Sequence, residues 1–108
     1  MECYWAEIQQ GDNAEIVFYT ESELARKGLL LKVRALRDDL RRHQRSVRLR
    51  RPDIDRLTQA GVTVLMPDFF ALEGRWHWFT GCMRMDAFSL SPEFETTLRQ
   101  KGSIVVRL

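Results

Sequence analysis

The chain has 108 residues, 44% of them hydrophobic, and a formal net charge of +2. That apolar content fills one ordinary core, so a single α+β domain over residues 1–108 is expected. Two cysteines exclude a disulfide framework, and no apolar run approaches the roughly 18 residues of a membrane span. The small net charge hides a segregation: residues 1–25 carry six acids and no base, residues 26–56 twelve bases and four acids, and the remainder five of each.

The first predicted element is a hairpin. Cys3 to Gln9 alternates weakly around Tyr4, Ala6 and Ile8, and Ala14 to Thr20 holds Ile16, Val17, Phe18 and Tyr19. The turn cluster Gln10-Gly11-Asp12-Asn13 separates the two runs. Thr20 with Glu23 three residues on fits a capping box, which starts a helix near Glu21. Gly28 either ends this helix or stays inside a longer one at a cost of about 1 kcal/mol. Beyond it Leu29, Val33, Leu36, Leu40, His43 and Val47 recur at helical spacing and predict one continuous buried seam. Pro52 stops that helix, and Asp53 to Ala60 reads as a second short helix closed by Gly61.

Val62 to Met66 is a β-branched run and the expected third strand. Phe69 to Leu72 and Arg75 to Thr80 form a second hairpin around Glu73-Gly74, with Trp76 and Trp78 on one face and His77 and Phe79 on the other. Cys82 to Met85 continues or ends its return strand after a bend at Gly81. Ser91-Pro92-Glu93 opens a last helix with Phe94 and Leu98 inward, Gly102 closes it, and Ser103 to Leu108 supplies a final strand. The order ββααβββαβ makes an α+β domain with a mostly antiparallel sheet and helices packed on one face.

The most specific feature is the arginine group. Nine arginines fall between Arg34 and Arg56. On a continuous helix Arg34, Arg37, Arg41, Arg45 and Arg48 lie within about 80° and span roughly 21 Å, beside the apolar seam. Guanidinium groups make bidentate contacts with carboxylate and phosphate, so the stripe suits an acidic protein surface or a nucleic-acid backbone. The competing reading is a solvated helix face, partly neutralised by the acidic hairpin. Trp76 and Trp78 lie on an aromatic strand and offer either core volume or an exposed contact patch.

Catalytic signatures are sparse. His43 and His77 are the only imidazoles and could serve as acid and base of a metal-independent ribonuclease, but both positions also suit structural roles. Asp68, Glu73 and Arg75 are too tightly spaced for a metal-dependent nuclease, and no zinc motif, phosphate loop or nucleophile elbow is present. No metal or cofactor is therefore expected. Cys3 and Cys82 read as buried thiols in a reducing compartment, a single bridge between them fitting only an exported chain, and the absence of a signal-peptide pattern suggests a cytoplasmic protein.

These features favour a small non-catalytic binding protein of the inhibitor, immunity or accessory type, such as mobile elements carry. Its expected contact residues are Arg34, Arg37, Arg41, Arg45 and Arg48 with Trp76 and Trp78, facing an acidic partner protein. A nucleic-acid-binding protein using the same stripe is the alternative, and a small ribonuclease the second.

Overall fold

The computed structural model describes residues 4–9, 13–74, 78–81 and 87–108, with residues 79–81 by backbone alone. Its centre is the expected hairpin, β1 (Tyr4–Gln9) and β2 (Glu15–Thr20), paired antiparallel from Tyr4↔Thr20 to Gln9↔Glu15. The turn residues Gln10, Gly11 and Asp12 lie outside the described residues. Each strand buries four consecutive residues. Because successive side chains point to opposite faces, such strands must be covered on both sides.

The first cover is built from residues 20–38. Thr20 caps α1 (Glu21–Arg26), its Oγ1 accepting the Glu23 N–H at 3.2 Å. The Thr20 N–H itself donates to the Gly102 carbonyl at 2.9 Å, tying the helix start to the far end of the chain. Gly28, at φ +73°, ends the helix turn and decides the ambiguity left by the sequence. Then α2 (Leu30–Asp38) carries Val33 inward. Leu24 and Val33, with Leu29, Leu30 and Leu36, pack on Trp5, Val17, Tyr19 and Leu72.

The remaining elements are α3 (Leu40–His43), β3 (Gln44–Arg48), α4 (Arg51–Ala60), β4 (Val62–Val64), β5 (Asp68–Glu73), β6 (Trp78–Gly81), β7 (Phe88–Leu90), α5 (Pro92–Lys101) and β8 (Ser103–Arg107). Six strands form one antiparallel sheet in the order β3-β5-β6-β1-β2-β8, and β4 pairs with β7 in a separate ribbon. Leu57 of α4 and Phe94 and Leu98 of α5 join Ala6, Ile8, Ile16, Phe18, Val47, Phe69 and Phe88 in the larger core. Phe18 is its hub, edge-on to Phe88 at 5.7 Å and to Phe94 at 5.2 Å.

The α+β class and the mostly antiparallel sheet are as the sequence indicated, but the helices do not all lie on one face. Both faces of β1 and β2 are apolar, so α1 and α2 cover one and α4 and α5 the other. The helix starting beyond Gly28 also does not run to Val47. Its regular part ends at Asp38, Asp39 leaves helical geometry at φ −122°, ψ 55°, and Gln44 is extended. Two acids at a helix C-terminus oppose the macrodipole, and pairing of residues 44–48 with β5 overrides their helical spacing. The seam is thereby divided: Leu29, Val33 and Leu36 enter the smaller core, Val47 enters the larger one across the sheet, and Leu40 is 43% exposed. Pro52 lies in the first turn of α4 rather than before it, and β7 has no counterpart in the sequence reading.

Phe18→Ala removes the fully buried hub of three rings and should cost about 3–5 kcal/mol, read as a lower urea midpoint at unchanged m-value. Gly61, at φ +100°, has Ser91 Oγ only 2.7 Å from where a Cβ would sit, whereas the space at Gly28 is open. Gly61→Ala should therefore destabilise clearly more than Gly28→Ala, whose cost is the left-handed penalty of about 1–2 kcal/mol alone. Equal midpoints for the two variants would refute this packing around the α4 C-terminus.

Candidate functional site

The five arginines expected on one stripe occupy three elements. Arg34 and Arg37 are on α2, Arg41 on α3, and Arg45 and Arg48 on β3. Three residues apart on a strand means opposite faces, so Arg45 and Arg48 point to different sides of the sheet where a helix would have aligned them. The single basic track is replaced by two groups.

On the face of the larger core, Arg45 stands with Val47, Phe69 and Ala71. Its guanidinium lies 5.4 Å from the centroid of the Trp78 ring and 3.7 Å from Glu73 Oε1. Trp78 is half-buried and packs on the core, so it is a wall of the fold with a cation over it rather than a free contact residue. Trp76, the other tryptophan assigned to the contact surface, lies outside the described residues, as do Arg75, His77, Cys3 and Cys82 to Met85.

The opposite face carries the feature that sequence reasoning missed. β5 holds two successive phenylalanines: Phe69 is buried and pairs with Val47, while Phe70 is 69% exposed and pairs with Ser46. Phe70 shares its face with Leu72, which is covered by the α2 side of the molecule, and with Gln44, Ser46, Arg48 and Asp68 at the uncovered end. The signal was present in the sequence only in part: strand alternation sends two adjacent phenylalanines to opposite faces, but does not tell which face is covered. That depended on knowing that β3, and no helix, lies beside them.

Charge pairing leaves this end basic. Arg48 Nε donates to Asp68 Oδ1 at 2.9 Å, and Arg34 Nη2 to Glu21 Oε1 at 2.8 Å. Arg37 and Arg41 are exposed and make no ion pair among the described residues. The Arg34 pair is the only one by which the acidic N-terminal segment reaches the five arginines, among the described residues. Glu23 is occupied by Arg26, whose guanidinium holds the carboxyl below its ordinary range. Exposed pairs of this kind are weak and exchange readily with an incoming carboxylate.

His43, expected in a buried seam, is half-exposed with Nε2 3.9 Å from Asp39 Oδ2, beyond hydrogen-bonding distance. The acids Asp68 and Glu73 stand at opposite ends of β5 and hold Arg48 and Arg45 respectively. Among the described residues no three metal-ligating side chains converge, and no helix is long and apolar enough to cross a membrane.

Among the described residues one acid is buried. Glu7, 3% exposed at the centre of β1, accepts hydrogen bonds from Tyr19 Oη at 3.0 Å and Gln9 Nε2 at 2.9 Å. Burial, reinforced by the Glu7 charge, pushes the Tyr19 phenol well above its ordinary value. The indole N–H of Trp5, on the same face, has no hydrogen-bond partner among the described residues. This group is read as a polar pin within the smaller core.

No protein family, no curated protein and no solved structure matches the chain.

Tyr19→Phe should lower stability at pH 7 by about 1–2 kcal/mol, because Glu7 loses a donor inside the core. The pH dependence has a defined sign. A phenol whose folded value is raised contributes fully below its unfolded value of about 10, and that contribution is lost as pH rises further. Urea midpoints measured from pH 8 to 11 should therefore converge for the parent chain and Tyr19→Phe above pH 10. A gap between them that stays constant or widens would contradict the pairing of Tyr19 with Glu7.

Proposed function

We propose that this chain is a small non-catalytic binding protein of the inhibitor, immunity or accessory type, and that it engages an acidic partner protein through the Phe70 face. The observation that carries the reading is the exposure of Phe70. Among the aromatic side chains described, the others are buried or half-buried, and Phe70, 69% exposed on a strand, is available as a contact residue. Arg48, paired with Asp68, shares its face, and Arg37 and Arg41 are exposed on the helices that precede β3. An exposed aromatic anchor with an arginine rim is the usual composition of a protein-binding patch.

This reading keeps Arg37, Arg41 and Arg48 from the expected contact set and adds Phe70, with Trp78 half-buried against the core and Trp76 outside the described residues. Arg34 is paired with Glu21, and Arg45, beside Glu73 and Trp78, stays exposed on the other face of the same sheet edge. The nucleic-acid reading loses support because its phosphate track depended on all five arginines lying along one helix. Binding by occlusion needs less continuity: one desolvated aromatic contact and a few charge-assisted hydrogen bonds.

Partner capture from nuclease-treated lysate of the native host, using the parent chain, Phe70→Ser and Arg37→Glu/Arg41→Glu, tests the reading. A nuclease-resistant partner should be retained by the parent and lost by both variants. Thermal stability of Phe70→Ser should change by no more than about 0.5 kcal/mol, because the side chain is exposed. Undiminished capture by Phe70→Ser would remove the proposed surface. A nuclease-sensitive partner, with affinity for labelled oligonucleotides falling steeply with salt, would establish the phosphate-binding alternative.

A further inference from the structure

We infer that the partner is bound by strand addition: an extended acidic segment pairs with the free edge of β3 and sets an apolar side chain against Phe70. The inference rests on the preceding reading that the Phe70 face binds protein, and adds the mode and the chemistry of the ligand.

Among the described residues β3 is the last strand of its sheet, with β5 on one side only. The Leu49 N–H donates to the Pro67 carbonyl at 2.8 Å, which fixes the phase of the ladder. Backbone groups alternate in direction, so those of Arg45 and Val47 turn to β5 and those of Gln44, Ser46 and Arg48 turn outward. Four of the five β3 side chains are exposed. The edge thus offers three residues whose outward N–H and C=O groups are unpaired among the described residues, a template for another strand.

Side chains on that edge specify the guest. Ser46 is small and lies directly between Phe70 and the guest position opposite it. The two outer positions are about 9.6 Å apart across two strand spacings, a gap a large guest side chain and Phe70 can close over the serine hydroxyl. Arg48 lies two residues on and on the same face, so the guest residue opposite it meets a guanidinium beside the aromatic contact. Arg45 projects from the other face, where the guest residue opposite it again meets a guanidinium. An antiparallel guest therefore reads acid, any residue, large apolar, acid, opposite Arg48, Val47, Ser46 and Arg45 in turn.

Charge decides between occupants. β3 carries two arginines and no acid, so a second copy of the same strand would bring four cations together. An acidic guest instead satisfies both arginines. Each is held at present by an exposed carboxylate, Asp68 or Glu73, that water can solvate once displaced.

A fluorescein-labelled peptide, Thr-Val-Glu-Thr-Phe-Glu-Val-Thr, is the probe, with fluorescence anisotropy as the readout on the full chain. Three further peptides separate strand addition from charge attraction: one with both glutamates changed to lysine, one N-methylated on the central phenylalanine, and one N-methylated on the threonine before it. The phenylalanine N–H pairs with the β3 edge and the threonine N–H faces away. Saturable binding should be lost with the lysine peptide and weakened about tenfold or more by N-methyl-phenylalanine, but left within about threefold by N-methyl-threonine. Protein carrying Phe70→Ser should weaken the parent peptide by a similar factor. Equal effects of the two N-methylations, or no saturable binding of the parent peptide, would overturn strand addition. If host-partner capture still depended on Phe70 in that case, the protein-binding reading would stand without it.

Discussion

The constraint on which this molecule depends is that its central hairpin has no wet face. Trp5, Val17 and Tyr19 on one side, and Ala6, Ile8, Ile16 and Phe18 on the other, are all nearly or fully buried. A chain of 108 residues must supply two covers from its remaining sequence. The segment after the hairpin provides the first through Leu24 and Val33, and the two helices with the small ribbon provide the second. Once α2 has delivered Leu36 its apolar work is finished. The chain then crosses to the sheet edge, where Val47 reaches the other core. The positions of the arginines follow from this division of apolar residues.

Electrostatics act within that frame and do not set it. Of the arginines on the expected stripe, Arg34, Arg45 and Arg48 have carboxylates at ion-pair distance, all of them partly exposed. Such pairs contribute little stability, but they hold the guanidinium groups in defined places on the two faces of the sheet edge. Glu7, the buried carboxylate among the described residues, accepts hydrogen bonds from Tyr19 and Gln9. The face with the outward phenylalanine and displaceable charge pairs is suited to contact; on the opposite face Trp78 packs on the larger core and Arg45 remains exposed beside it.

Local rules read the termini of elements well. Thr20, Gly61, Ser91 and Gly102 act as caps or stops because their side chains or glycine backbones satisfy requirements confined to a few residues, whereas Gly28 was open to two readings. The hairpin and β8 were legible from β-branched runs for the same reason. The segment from Leu40 to Arg48 was not. Its spacing of Leu40, His43 and Val47 fits a helix, yet those three residues have separate surroundings: exposed, half-exposed and buried in the far core. Strand pairing with β5, about twenty residues away, outweighs the local pattern, and no signal within the segment reports it. The candidate site was legible only in part, because the arginines were visible as a composition while Phe70 acquired meaning from its neighbour strand.

The account stands on residues 44–48 being an edge strand. Amide hydrogen exchange and backbone chemical shifts by NMR measure this directly. Extended-type Cα shifts from Gln44 to Arg48 are expected, with slow exchange at Arg45 and Val47 and fast exchange at Ser46 and Arg48, and with a nuclear Overhauser contact between Val47 and Phe69. Helical shifts continuing from Leu40 through Arg48, with uniform protection and no contact to Phe69, would restore the single arginine stripe and contradict the account.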